Sequence, residues 1–527
     1  MLTTPKSSTL IPAALAAAIV ALTLYAYREL PARPFAADDY QWLLNVHGLS
    51  FTEVAGQAFD PRAQSHFFRP LVWLLFWAQT RAFGLDPRGF HAVSLGLHLL
   101  NAGLLGWMAY RLTADHRPPT TGTRPHSSSL VFGLWSALAA GAIVALHPAP
   151  FEAVVWASSQ SELLAAALLL AALHLWLCRR TTKDKGPKEE HQAVERLWSF
   201  VFRPWSLFGT IALALALLAK ESAVIGLPLL IMVERSNVEI ACPEPDEGLK
   251  RSNVERFAPY LLPALMTIAY VALQIGIERR NYLLEQGGYG FGPQLVLNPL
   301  RSLALIVAPL PATEHADADW LAPLGAVVAI ALLIFLILNF RLGIDKRRRQ
   351  SKICNLQSKI VLALALTLLP TAPFVSPPDS RYLYLPVMAA ALLIAFLLDQ
   401  RPTTKDQSLG TSAVGPWSFV FGLILALVLA GWASGELHAR EGRFAVASGP
   451  GGSLWRLASA VCAEGHPDRM VIVEPPLAPP HVEAIVGLAC ADTRTKIVGH
   501  DQIDKAIKGH SLVIAFPNGS AEIERRT

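Results

Sequence analysis

The segment FAADDYQWLLN, at positions 35–45, places two adjacent carboxylates directly after the first apolar run of the chain. Asp38 and Asp39 therefore lie where a chain that leaves a membrane meets water. Adjacent like charges cost free energy unless a cation or a reacting proton uses them. The pair is a candidate catalytic group, and the alternative is an acidic cap on the helical turn at 40–44.

Composition determines the class of protein. Of the 527 residues, 53% are hydrophobic and 16% are charged, and the mean hydropathy is +0.38. This apolar content is higher than the core of a soluble protein needs and is typical of a polytopic membrane protein. Nothing in the composition indicates a nucleic-acid partner. Five cysteines without paired spacing exclude a zinc ribbon and a disulfide-dense scaffold.

Apolar runs up to residue 435 predict an all-α membrane domain with about eleven transmembrane helices. The first run, 10–27, ends without a small-residue cleavage site, which favours a retained anchor over a signal peptide. Run 68–83 is short and rich in tryptophan, which suits the membrane interface, and run 295–310 has no assigned place. The other predicted spans are 88–112, 130–146, 154–177, 206–219, 222–233, 258–277, 320–340, 359–375, 382–398 and 417–435.

Clusters of lysine and arginine predict the orientation. They occupy loops 179–188 and 341–349, and such basic loops remain in the cytoplasm. The N-terminus is then cytoplasmic, whereas loop 28–87, which carries the Asp pair, is external. The same alternation of spans places the end of the chain outside. The predicted location is the plasma (inner) membrane of a prokaryote.

The chain changes character after residue 435. Short apolar runs alternate with helical stretches, which is the pattern of a small α/β domain. The apolar runs are 470–473, 496–498 and 511–516, and the helical stretches are 453–462 and 481–489. We therefore predict a transmembrane domain at 1–435 and a small soluble external domain at 436–527. Its Cys462 and Cys490 fit either a disulfide or two buried thiols.

Polar residues that a membrane protein retains only for a reason map to the external side. They are Asp38, Asp39, His66, Arg69, His91, His147, Glu152, Lys220, Glu221, Asp379 and Arg381. Their collection on one side predicts a single site at the outer membrane boundary. Structural alternatives exist for each: His147 before Pro148 can end a helix, and Lys220 can form an internal ion pair with Glu221.

Four potential metal ligands are close together in the sequence: Glu314, His315, Asp317 and Asp319. No predicted helix or strand fixes their geometry, so a solvated loop is the preferred interpretation. The sequence therefore specifies no cofactor, although a divalent metal is compatible with it.

Several motifs, in this order, resemble a known enzyme family. They are FAADDYQWLLN, SHFFRPL at 65–71, FGLDPRGFHAVSLGLHLLNA at 83–102, HPAPFEAVVWASSQSELLA at 147–165, LLAKESAVIGLPLL at 217–230 and SRYLYLP at 380–386. Their order and spacing are similar to the membrane part of the transmembrane and tetratricopeptide-repeat O-mannosyltransferases. Those enzymes belong, with the protein O-mannosyltransferases and the bacterial lipid-A aminoarabinose transferases, to the GT-C glycosyltransferase superfamily.

The resemblance implies a GT-C-like fold and a transferase that takes a sugar from a polyprenyl-phosphate donor. In that superfamily an acidic residue of the first external loop is the base for the acceptor hydroxyl, and basic residues hold the lipid phosphate. The acidic pair corresponds to Asp38 and Asp39. The donor-phosphate or substrate-binding residues that the matching segments imply are His66, Arg69, His147, Glu152, Lys220, Glu221, Arg381 and Tyr382. An α/β tail stands here in place of the family's repeats, so the acceptor stays open: a protein, a glycan, a lipid or a secondary metabolite is compatible with the same membrane site.

Elementary chemistry suits these residue types. A hydroxyl that attacks an anomeric carbon needs a general base, and a departing phosphate needs cationic partners. Two other classes remain: a lipid-linked sugar transporter or flippase, and a non-catalytic membrane scaffold. A transporter predicts interrupted helices in matching halves and a polar site at mid-membrane, and the sequence shows neither. Convergence of Asp38 with Arg69 and Arg381 favours the enzyme.

Overall fold

The computed structural model describes most of the chain. The described residues are 7–64, 67–115, 127–178, 204–238, 253–278, 288–309, 320–345, 348–376, 379–398 and 416–526. Three sequence predictions lie outside them: the role of His66, the metal ligands at 314–319, and the basic loop at 179–188.

Helices make up the part of the described chain that precedes the tail. In chain order they are α1 (Ser7–Ala26), α2 (Asp38–Val46), α3 (Phe51–Phe59), α4 (Pro70–Phe83), α5 (Pro87–Asp115), α6 (Ser127–Leu146), α7 (Phe151–Val155), α8 (Gln160–Cys178), α9 (Pro204–Ala219), α10 (Gly226–Val238), α11 (Asn253–Glu278), α12 (Gln294–Val307), α13 (Leu321–Asp345), α14 (Arg348–Leu368), α15 (Tyr384–Leu398) and α16 (Pro416–Glu464).

Six helices of the described part are long and apolar enough to cross a membrane. They cover Ile11–Ala32, Pro87–Thr113, Ala157–Cys178, Phe257–Ile277, Leu321–Leu338 and Ser380–Leu397. Shorter apolar helices cover Gly133–Leu146, Pro204–Ala219, Glu221–Val233, Gln294–Val307 and Leu356–Thr371. The predicted polytopic all-α membrane domain is confirmed, whereas the count of eleven crossings stays a prediction. Exposed side chains on α13, such as Val327 and Ile330, present an apolar face that a bilayer would cover.

Small residues let the central helices approach closely. Ala140, Ala166 and Ala216, on α6, α8 and α9, are fully buried in the largest apolar core. A Cβ at Gly106 of α5 would lie 2.8 Å from the carbonyl oxygen of Ala137 on α6. Backbones that pack this closely are characteristic of helices in membranes, where small residues replace the hydrophobic effect as the basis of packing.

Two predicted helices have different limits in the structure. The span predicted at 154–177 is broken into α7, a 3₁₀ turn at Ala157–Ser159, and α8. The span predicted to end at 435 continues instead as α16 to Glu464, with Pro450 inside it. Buried Leu454 and Ala458 hold this continuation against the tail. The proposed domain boundary at 435 thus falls within a continuous helix.

The tail forms the predicted small α/β domain. Its elements are β1 (Arg469–Val473), α17 (Pro479–Ala489), β2 (Arg494–Val498), α18 (Ile503–Ala506), β3 (Ser511–Ala515) and β4 (Glu522–Arg526). The strand order is β2-β1-β3-β4, with β1 parallel to β2 and β3, and β4 antiparallel to β3. Strand β4 was not predicted, because its sequence EIERR is charged, as edge strands commonly are.

The tail packs on the segment that carries the Asp pair. Tyr40 and Leu43 of α2 share one apolar core with Phe76 of α4, Leu454 of α16 and Ile485 of α17, and all five are fully buried. Burial of such side chains contributes roughly 1.5–3 kcal/mol each. The α4 helix, expected in the membrane interface, thus contributes to the core shared with the tail.

A disulfide joins the end of α16 to the end of α17. Cys462 near the end of α16 and Cys490 directly after α17 are bonded, with their Cα atoms 5.8 Å apart. The sequence left this pair open between a disulfide and two thiols, and the structure selects the disulfide.

Candidate active site

Residues from four separate segments converge on one cavity of about 440 Å³. Asp38 begins α2, Arg69 precedes α4, Lys220 follows α9, and Arg381 and Tyr382 lie in the 3₁₀ turn before α15. All of them are at or beside helix ends, so their backbones meet at one end of the bundle. The volume is within the range of about 300–1,000 Å³ that is usual for ligand pockets. The convergence of Asp38 with Arg69 and Arg381, named above as the discriminating feature, is observed.

The two adjacent aspartates occupy different environments. The carboxylate of Asp39 is 1% exposed and accepts backbone N–H bonds from Ala36 at 2.9 Å and from Ser158 at 2.6 Å. Burial raises the pKa of Asp39 to about 7 against the effect of these bonds. Ala37, which follows Ala36 in the chain, has a φ of 41°, a strained conformation for a residue other than glycine. Asp39 thus holds the turn from which Asp38 projects.

Asp38 lines the cavity and is partly solvated, with its side chain 41% exposed. Its Oδ1 lies 2.9 Å from Nε2 of His481 on α17, and His481 is the donor because a carboxylate only accepts. Burial alone would raise the pKa of Asp38, but the hydrogen bond and charge of His481, followed by Arg381 and Arg69, hold it below its usual value. Asp38 is therefore ionised at neutral pH and able to accept a proton.

Each cation of the cavity has an acidic partner. Arg69 forms two hydrogen bonds with Glu221, from Nε at 2.9 Å and from Nη2 at 2.7 Å. Lys220 forms a buried ion pair with Glu162. Such pairing fixes the cations in place and avoids the large cost of an uncompensated buried charge.

Arg381 is held by both charge and aromatic contacts. Its Nη2 lies 2.8 Å from Asp379, and its guanidinium carbon lies 4.4 Å from the centre of the Trp156 ring and 5.2 Å from that of Tyr382. A cation at these distances from aromatic rings is attracted to their faces. The cavity therefore presents three cations, Arg69, Lys220 and Arg381, together with the carboxylates of Asp38 and Asp379.

Three of the predicted binding residues do not line the cavity. Both ring nitrogens of His147 are engaged, Nε2 at 2.9 Å from the carbonyl oxygen of Ile306 and Nδ1 with the N–H of Ala149, so this histidine ends α6. Glu152 accepts the backbone N–H of Arg381 at 3.4 Å, and burial raises its pKa. Glu221 acts through Arg69. These residues support the wall of the cavity.

Sequence reasoning missed Glu162, Ser158 and His481. A signal existed for the first two, because the polar run SSQSE at 158–162 interrupts an apolar stretch. His481 had none, since 443 residues separate it from Asp38. In the described part of the chain, one group has metal-ligand spacing, Cys462, His466 and Cys490, and its two sulfurs form the disulfide.

Comparison with known proteins identifies one similar sequence among curated proteins. Over 196 residues, or 36% of this chain, it is 30% identical to Protein O-mannosyl-transferase Tmtc1 of Drosophila melanogaster. This chain resembles an O-mannosyl-transferase. The match agrees with the resemblance drawn from the motifs and spans 18% of the length of that relative. No family model matches the chain.

Two solved structures match this chain weakly over most of its length. ArnT from Cupriavidus metallidurans bound to undecaprenyl phosphate is 14% identical, with a TM-score of 0.44 over 95% of this chain and 93% of that one. The apo oligosaccharyltransferase of Archaeoglobus fulgidus is 11% identical, with a TM-score of 0.44 over 92% of this chain and 64% of that one. At these identities neither supplies a residue-by-residue correspondence.

Proposed function

We propose that this protein is a membrane glycosyltransferase that moves a sugar from a polyprenyl-phosphate donor to an acceptor hydroxyl on the external face of the membrane. The observation that carries the proposal is the cavity in which ionised Asp38 faces Arg69, Lys220 and Arg381. One general base and a cluster of phosphate-binding cations are the groups that this reaction needs. The sequence similarity to an O-mannosyl-transferase is consistent with it.

Asp38 is the proposed base. The acceptor oxygen attacks the anomeric carbon while the bond from that carbon to the phosphate oxygen breaks, with inversion in one displacement. The proton of the hydroxyl passes to Asp38, and the electron pair of the broken bond remains on the lipid phosphate. Asp39 contributes by position, since both of its oxygens accept backbone hydrogen bonds and its side chain is buried.

The three cations are the proposed phosphate site. A lipid phosphate that enters the cavity meets Arg69, Lys220 and Arg381, all of them already oriented by acidic partners. Charge-assisted hydrogen bonds from guanidinium groups are stronger than neutral ones and suit phosphate oxygens. As the donor bond breaks, the phosphate gains negative charge, so these contacts favour the departure of the leaving group.

The proposal is tested with membranes that contain the protein and polyprenyl phosphates that carry labelled mannose, glucose or aminoarabinose. Peptides, glycans and lipids with free hydroxyls serve as acceptors. We expect label to leave the lipid and to appear on an acceptor. Movement of intact lipid-linked sugar between leaflets, with the sugar–phosphate bond unbroken, would identify a transporter and contradict the proposal. Absence of both activities would support the scaffold.

A further inference from the structure

We infer that His481 of the tail is a positioning residue for Asp38, so that the tail domain completes the catalytic cavity of the membrane domain. The inference rests on the proposed function and deepens it. The observation behind it is the 2.9 Å contact between Nε2 of His481 and Oδ1 of Asp38. This contact joins the tail domain to Asp38, the residue that we assign as the base.

The helix that carries His481 is fixed along its length. His481 lies in the first turn of α17, and Val482 and Ile485 of that helix are fully buried in the core shared with α2. Directly after the helix, the disulfide ties Cys490 to Cys462 of α16. The imidazole is itself largely buried, with 20% of its side chain exposed. His481 therefore approaches Asp38 from a rigid support.

The contact determines which carboxylate oxygen is free. His481 donates to Oδ1, and among the described residues none donates to Oδ2. Oδ2 is then the oxygen available to an acceptor hydroxyl in the cavity. A base that is held in one orientation avoids the entropy cost of ordering it during the reaction. The charged groups around the carboxylate are Arg69 and Arg381 on the cavity side and Asp39 next in the chain.

Asp38 and His481 then have different roles: Asp38 is the base, and His481 holds it in position. His481 does not line the cavity, so it acts through Asp38 and not on the substrate. Its removal should therefore lower kcat and leave the donor KM unchanged. It should also move the acid limb of kcat/KM to higher pH, because the hydrogen bond and charge of His481 lower the pKa of Asp38.

The test compares His481→Ala, His481→Gln and the control His510→Ala in the sugar-transfer assay. His510 is an exposed histidine of the same domain. We expect His481→Ala to lower kcat by about 10- to 100-fold. Removal of a hydrogen-bond partner that orients a metal-binding side chain has an effect of this size. His481→Gln retains an N–H donor and should recover most of the loss, and His510→Ala should match the wild type.

A second measurement separates positioning from loss of fold. The Cys462–Cys490 disulfide, read on a non-reducing gel, should persist in all three variants. Wild-type kcat and pH profile in His481→Ala would overturn the inference. Equal losses in His481→Ala and His481→Gln would also overturn it, because they would show a need for the imidazole itself or for its packing. An inactive wild type, by contrast, would contradict the proposed function and not the contact, which an Asp38→Cys/His481→Cys pair would still report by cross-linking.

Discussion

The carboxylate of Asp39 accepts the backbone N–H of Ser158 at 2.6 Å, and this bond joins α2 to the 3₁₀ turn that precedes α8. The same carboxylate accepts the N–H of Ala36. A residue that is buried and bonded in this way supports the site from behind. Asp38, one position earlier, faces the cavity.

Asp39→Asn should therefore act through stability. An amide has one acceptor oxygen, so one of the two N–H groups, of Ala36 or Ser158, would be left unpaired at a cost of about 1–3 kcal/mol. We expect a lower melting temperature in detergent and a lower activity. Asp38→Asn should melt near the wild type. A normal melting temperature with abolished transfer would instead make Asp39 a direct participant.

The two-bond contact between Arg69 and Glu221 predicts a specific need for arginine. Arg69→Lys keeps the charge but loses the forked geometry, so the KM for donor should rise with little change in protein level. Arg69→Ala should also destabilise the fold by about 3–5 kcal/mol, because Glu221 is left without its partner.

Steady-state kinetics and thermal melting measure the two effects separately. Arg62→Ala, which removes an exposed arginine of the same loop, is the control and should change neither quantity. An unchanged donor KM in Arg69→Ala would remove Arg69 from the phosphate site.

The environment of Asp38 predicts the pH dependence of the wild type. His481 and the neighbouring cations hold the pKa of Asp38 below its ordinary value, so the base stays ionised as the pH falls. We expect kcat/KM to be level between pH 7 and 5, with the acid limb below the ordinary aspartate value of about 3.9. An acid limb between pH 5 and 7 would point instead to Asp39, whose pKa burial raises to about 7.

The contact of the tail with Asp38 places both on one side of the membrane, and the basic loops predict that this side is external. A reporter that is active only outside the cytoplasm should therefore be active when it is fused after Thr527. The same fusion with a reporter that is active only in the cytoplasm is the control. Activity of the cytoplasmic reporter alone would reverse the orientation.

Local patterns of the sequence were sufficient to predict much of the fold. Apolar runs predicted at 470–473, 496–498 and 511–516 correspond to β1, β2 and β3 within two residues at each end. Strands β1 and β3 were visible because each one is a short apolar run bounded by turn residues, whereas the apolar part of β2 is Ile497 and Val498 alone. Long apolar runs likewise predicted the positions of the membrane helices.

Tertiary contacts decided the features that the sequence did not reveal. Glycines and Pro450 at 449–452 indicate a helix end, yet α16 continues because Leu454 and Ala458 beyond them are buried against the tail. Successive helical side chains point about 100° apart, so the sequence could not tell which of Asp38 and Asp39 faces the cavity. His481 carries no local signal because its partner is distant in the chain.

The assignment of Asp38 as the general base is the central claim, and Asp38→Asn tests it most directly. The substitution keeps shape and hydrogen bonding but removes the basic oxygen, so transfer from a polyprenyl-phosphate sugar should fall by about two to four orders of magnitude. Asp60→Asn changes an exposed aspartate of the same loop and should retain wild-type transfer. Equal protein levels in the membrane make the three rates comparable. Wild-type transfer by Asp38→Asn would contradict the account.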